Sequence, residues 1–130
     1  MAFPEQSIKL ASTAGFEYAR SMSEVLLIAA VIDVPYAATL VIPPLEFFHT
    51  TFVVAALTGN TTVPAIPGAR KGQRVTFAFT QDSTGGRTIT WNAVFAAAAN
   101  SGSTASHKAA CSFVYDGSRW VQEAALTFKA

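Results

Sequence analysis

Charge is what this sequence has least of. Only 13% of its 130 residues are charged, about half the share of an ordinary soluble domain, while 51% are hydrophobic. A globular monomer of that composition leaves apolar surface in water, and such surface belongs to interfaces. Burial against further copies of the chain, or against another protein, is the first expectation. Cysteine is nearly absent too. Cys111 stands alone, which excludes an intrachain disulfide framework and any multi-cysteine metal site. Its context, Ala109-Ala110-Cys111-Ser112-Phe113, is that of a small buried hydrophobe rather than a reactive thiol. Long apolar runs are missing as well. The stretch 25–42 is interrupted by Asp33 and Pro35, whereas a membrane-spanning helix needs about 20 residues without such breaks. Met1-Ala2-Phe3-Pro4-Glu5 lacks the basic region and apolar stretch of a signal peptide, so synthesis in a reducing cytoplasm is expected.

A formal net charge of +1 argues against the chain as a whole binding nucleic acid. The distribution is uneven. Residues 1–60 hold two basic against five acidic side chains, and residues 61–130 hold seven against three. Opposite signs of this kind can pair within the fold or between neighbouring subunits. The densest basic cluster is Arg70-Lys71-Gly72-Gln73-Arg74. Nucleic-acid binding would want more such residues with exposed aromatics among them; a soluble loop tip or a contact with an acidic neighbour fits better.

Catalytic signatures are also missing. His49 lies in Phe47-Phe48-His49-Thr50-Thr51 and His107 in a Ser-rich loop, with no Gly-x-Ser-x-Gly elbow and no His-Glu-x-x-His motif beside either. Nothing marks a facing carboxylate pair of the glycosidase kind. Thr84-Gly85-Gly86-Arg87-Thr88 faintly resembles a phosphate loop but lacks the Gly-Lys-Ser/Thr ending and leads into a strand pattern, so the anion-binding helix terminus is missing. No enzymatic activity, no cofactor and no metal are expected.

What is present is β-type patterning. Residues 1–24 show no period and read as an extended arm, a strap for a neighbour, with Phe3, Phe16 and Tyr18 scattered along it. Residues 25–130 read as a single domain. Residues 25–32 form a continuous apolar run, as in a strand buried on both faces. Residues 39–42 and 50–54 follow as short strands, then Thr61-Thr62-Val63. The clearest strand is 73–80, where Val75, Phe77 and Phe79 alternate with Thr76, Ala78 and Thr80. Asp82-Ser83-Thr84-Gly85-Gly86 then predicts a hairpin loop, returning through residues 87–91 with Ile89 and Trp91 opposite Phe79 and Phe77. A further strand is expected at residues 95–99. A second hairpin is expected around Asp116-Gly117, a preferred pair for a two-residue type I′ turn, and residues 124–128 predict a last strand. The sum is an all-β chain, an antiparallel β-sandwich of jelly-roll-like form preceded by an extended N-terminal arm.

Four segments carry a resemblance. Leu57-Thr58-Gly59-Asn60-Thr61-Thr62, Gly72-Gln73-Arg74-Val75-Thr76, residues 80–91 and residues 112–120 together resemble a module of tailed-bacteriophage virion proteins, found in tail fibres, head fibres and small capsid decoration (cement) proteins. Residues 1–56 carry none of it. The shortness of the chain aligns the resemblance with a decoration protein that binds the outer capsid surface and stabilises it. That implies the major capsid protein as partner, a homodimer or homotrimer, and a location on the virion after synthesis in the host cytoplasm, with neither nucleic acid nor membrane as partner. The alternative is a tail-fibre, head-fibre or tail-tip component touching host glycans, with Trp91 or Trp120 as stacking platforms. Protein-interface candidates are Phe3, Phe16, Tyr18, Phe47, Phe48, Arg70, Lys71 and Arg74.

Overall fold

A computed structural model describes residues 29–97 and 100–130. The expected arm, with Phe3, Phe16 and Tyr18, lies outside the described residues. Eight strands run in chain order: β1 (Ala29–Val34), β2 (His49–Val54), β3 (Thr61–Val63), β4 (Arg74–Thr80), β5 (Ile89–Trp91), β6 (Phe95–Ala96), β7 (Lys108–Tyr115) and β8 (Trp120–Gln122). The described residues include no helix, so the all-β expectation holds.

Six strands form one sheet in the order β1-β2-β4-β7-β8-β6, and β3 pairs with β5 in a second, two-stranded sheet. The large sheet is mixed and the small one parallel, where an antiparallel sandwich was expected. β1–β2, β2–β4, β3–β5 and β6–β8 are parallel, whereas β4–β7 and β7–β8 are antiparallel. The jelly-roll strand order is therefore not reproduced. Parallel neighbours need a crossover of a dozen or more residues, and residues 35–48 and 55–73 supply two of them. Hydrophobic alternation reports which face of a strand is buried, not which way its neighbour runs, and for that reason the sequence pattern could not show it.

The inner face of the large sheet carries Thr50, Phe52 and Val54 of β2, Val75, Phe77 and Phe79 of β4, and Ala109, Cys111 and Phe113 of β7, all buried. Phe95 of β6 and Trp120 of β8 complete the core on this sheet, and Leu40, Val63, Ile66 and Ile89 from outside it join the same core. Phe77 is the hub: its ring stacks on Phe52 at 5.2 Å and meets Trp91, Phe95 and Phe113 edge-on at 5.5–6.3 Å. Edge-to-face and offset rings suit their quadrupoles and add to the burial gain.

Several local expectations are corrected. The run at residues 25–32, read as buried on both faces, ends in β1, which is an edge strand with Val31 72% exposed and which includes Asp33. Residues 39–42 make no ladder; Thr39 is joined to Thr62 by a single bridge, with Leu40 and Ile42 buried and Val41 exposed. The segment after Asp82-Ser83-Thr84-Gly85-Gly86 does not fold back on β4 as a hairpin. β5 pairs with β3 in the other sheet, because both edges of β4 are already taken by β2 and β7. Of the expected strand at residues 95–99, Phe95–Ala96 forms β6 and Ala97 belongs to no strand, while residues 98–99 lie outside the described residues. The second hairpin does form, but Tyr115 pairs with Trp120 across a four-residue loop, Asp116 to Arg119. Asp116 accepts hydrogen bonds from the Ser118 and Arg119 backbone N–H groups, which favours this longer turn over a two-residue one. Residues 124–128 contribute only an isolated Ser101–Thr127 bridge.

Candidate interaction surfaces

Five of the interface candidates converge at one end of the large sheet. β2 and β4 run parallel with His49 beside Arg74, so Phe47-Phe48, just before β2, and residues 70–73, which lead into Arg74 at the start of β4, come into the sheet side by side. The Phe48 carbonyl accepts the Arg74 backbone N–H at 3.0 Å. Gln73, buried among polar partners, ties these two segments together. Its side-chain amide donates to the Phe47 carbonyl at 3.1 Å, and its side-chain oxygen accepts the Arg70 N–H. Its backbone oxygen accepts the Tyr115 N–H, which brings the 116–119 loop to the same end. Phe47 is half-buried and Phe48 is 52% exposed. Arg70, Lys71 and Arg74 are exposed. Arg74 is ion-paired with Glu123, leaving Phe48, Arg70 and Lys71 as the outward-facing part of the cluster. Sequence reasoning missed Gln73, whose position between Gly72 and Arg74 in a basic stretch gave no sign of burial.

The outer face of the large sheet is uncovered among the described residues. It presents Val31 of β1, Thr51 and Val53 of β2, Thr76 and Ala78 of β4, Ala110, Ser112 and Val114 of β7, and Val121 of β8, as the registers and burial alternation require. Val31, Val53 and Val121 are 72%, 38% and 45% exposed. A polar row crosses its middle: His49 Nε2 lies 3.1 Å from Thr76 Oγ1, which lies 2.8 Å from Ser112 Oγ. This is the nearest approach to a base–nucleophile pair in the described residues. A working dyad also needs a group that orients the imidazole and a cleft that excludes water; among the described residues this row lies on an open sheet face, and no carboxylate of theirs is hydrogen-bonded to His49.

The other sequence-level candidates resolve into structural roles. Trp120 is fully buried, and Trp91 packs against Phe77, Phe95 and Phe113 while its indole N–H donates to Asn100 Oδ1 at 3.2 Å. Trp120 therefore offers no free face for stacking on a sugar, and the half-buried Trp91 is engaged by the core rings. The loop that faintly resembled a phosphate cradle holds its own carboxylate. Asp82 Oδ1 accepts the Thr84 and Gly85 N–H groups, and Asp82 Oδ2 receives Arg87 at 3.0 Å. The Arg87 guanidinium first, and the Gly85 N–H second, hold the Asp82 carboxyl below the usual carboxylate range, and Asp82 in turn raises Arg87. Buried Gln81 spans the loop base, donating to the Arg87 carbonyl at 2.9 Å and accepting the Arg87 N–H at 3.1 Å. Beside this loop lies a shallow cavity of about 300 Å³ lined by Arg87, Thr88, Ile89, Asn100, Ser103 and Phe128. A second hollow of about 310 Å³, lined by Asp33, Val34, Pro35, Val53 and Ala55, flanks the β1 edge. No group of three or more His, Cys, Asp or Glu side chains is placed to hold a metal ion among the described residues. No helix among them is long and apolar enough to cross a membrane.

A family model described as "Putative phage tail fibre C-terminal domain" aligns with residues 33–120, which reaches from β1 to the first residue of β8. No curated protein and no solved structure matches the chain.

Proposed function

The chain belongs to the phage tail fibre C-terminal domain family and is a virion component; from that premise we propose that it works as a non-catalytic structural module of a tail fibre, assembling with copies of itself. The observation that carries the reading is the extent of the match, which takes in most of the aromatic core and both glycine-turned loops. It favours the fibre alternative over capsid decoration, since the matching family is one of fibre domains. The uncovered outer sheet face and the low charge support an assembling role. So does the make-up of the described surface, whose most exposed features are valines, Phe48 and two basic side chains rather than a cleft. In this reading the partners are proteins: further copies of the chain and the rest of the fibre, with neither nucleic acid nor membrane among them. Contact with a host surface would fall to the end bearing Phe48, Arg70 and Lys71, because the two tryptophans are occupied in the core.

Labelling decides the location. Particles decorated with a gold-conjugated antibody against this chain are expected to carry label on the tail. Label confined to the capsid shell would restore the decoration reading and overturn this one.

A further inference from the structure

We propose that the β1 edge is a self-association surface, on which the β1 strand of a second copy pairs antiparallel about a two-fold axis through Val31. β1 ends the six-stranded sheet, and no described strand covers its far side. The Ala55 N–H donates to the Val34 carbonyl at 2.9 Å, so Val34 turns its backbone groups towards β2. Alternate residues of a strand turn theirs to opposite edges. Ile32 and Ala30 therefore also face β2, while Ala29, Val31 and Asp33 offer their N–H and C=O groups to the open edge.

Natural edge strands are blunted by lysines, prolines or bulges. Residues 29–34 contain none of these, and their single charge is Asp33. The exposure of Val31, 72%, fits a residue that awaits a neighbour.

The register follows from two requirements. Side chains directly opposite must lie on the same face of the joint sheet, which restricts the axis to pass through a residue rather than between two. The three outward residues should also all find partners. With the axis at Val31, each Val31 pairs with the second copy's Val31, and each Ala29 pairs with its Asp33. Every outward N–H and C=O of the strand is then bonded, and the two Asp33 carboxylates stand four residues apart along the strand, about 13 Å. Moving the axis to Ile32 sets Ala29 against a proline, Pro35, which has no N–H, and brings the carboxylates to about 7 Å. Moving it to Asp33 puts the carboxylates face to face. Charge and hydrogen bonding agree on Val31. The two exposed valines then meet on the outer face beside Thr51 and Val53, extending that face across two copies. A two-fold contact of this kind closes on itself and yields a dimer, not a filament.

This inference deepens the self-assembly in the fibre reading and fails separately from it: the antibody label tests location, whereas sedimentation tests the edge. The full-length chain is measured by analytical ultracentrifugation over roughly 1–200 μM, a range that spans weak to moderate association, beside Val31→Lys and Ala29→Lys. The wild-type chain is expected to be dimeric at the upper concentrations. Val31→Lys sets two ammonium groups opposite one another and is expected to raise the dissociation constant at least about tenfold. Ala29→Lys faces the second copy's Asp33 and is expected to lower it by about threefold. Near-UV circular dichroism checks that each variant is folded; should Val31→Lys fail to fold, Ala29→Lys decides alone. A wild-type chain that stays monomeric throughout overturns the proposal. So does a dimer indifferent to Val31→Lys, or one that Ala29→Lys does not tighten.

Discussion

The ring of Phe77 meets that of Trp91 edge-on, with centroids 5.5 Å apart and planes at 74°, although the strands that carry them share no hydrogen bond. The contact crosses from the six-stranded sheet to the two-stranded one, and it makes Phe77 a pin between the layers. Phe77 is fully buried and also stacks on Phe52. Phe77→Ala is expected to lower the free energy of unfolding by about 4 kcal/mol, the lost transfer energy plus the cavity left behind. Urea denaturation followed by tryptophan fluorescence measures it. A loss under about 1 kcal/mol would mean that the two layers are not held through this ring.

The two glycines of the Asp82–Arg87 loop separate space from backbone conformation. Both have positive φ, +73° at Gly85 and +75° at Gly86. A Cβ at Gly85 would lie 2.6 Å from the Ala105 nitrogen and 2.7 Å from the Ser103 oxygen, whereas one at Gly86 meets nothing within 4 Å. Gly86→Ala is expected to cost about 1 kcal/mol, the left-handed strain alone. Gly85→Ala carries the same strain plus a backbone clash and is expected to cost more than about 3 kcal/mol. Thermal unfolding of the pair checks the order, and equal midpoints would contradict it.

Asp82 makes stability depend on pH in a stated direction. Its carboxyl is held below its ordinary value by Arg87 first and the Gly85 N–H second. A depressed pKa means that the ionised form is bound better in the folded chain, so the stabilisation is present above the unfolded pKa and lost as pH falls through the folded one. Asp82→Asn is expected to melt below the wild type at pH 7. The gap should narrow progressively as the pH falls below the ordinary carboxylate range and through the folded carboxyl's own lower value, as the wild-type carboxylate is itself protonated. A gap that does not narrow with falling pH would assign the effect to something other than the charge.

Burial pushes the Cys111 thiol up to about 11, against a partial lowering by a hydrogen bond with Gln122. Two units above the ordinary 9.0 leave about a hundredfold less thiolate at pH 8, before steric exclusion is counted. Iodoacetamide at pH 8 is expected to leave the native chain unmodified over hours and to label it within minutes in guanidinium chloride. Rapid labelling of the native protein would place the thiol at the surface.

How much of the fold is legible in the sequence varies by residue. The alternation of Val75, Phe77 and Phe79 placed the inner face of β4 correctly, since a period of two needs only the strand itself. Asp116-Gly117 marked the β7–β8 reversal, because a turn is local chemistry. The partner of β5 was not legible. Ile89 and Trp91 carry the same pattern whether they pair with β4 or with β3, and the Trp91 contact with Phe77 expected of a hairpin is instead made across the core. The interface candidates Phe47, Phe48, Arg70, Lys71 and Arg74 were picked one by one from composition; their meeting at one end depends on β2 and β4 being parallel and on Gln73 bridging the segments that precede them.

By itself, the sequence determined the all-β character, the inward face of β4 and the buried setting of Cys111, because residue type, period and turn chemistry act over a few neighbouring positions. The tertiary structure alone decided that, among the described residues, β1 is an edge and not a core strand, four of the six ladders are parallel, and the outer valines lie uncovered. Those outcomes depend on which edges and faces remain free once β2, β4 and β7 have closed on one another. That is a competition among distant segments, and no local pattern encodes it.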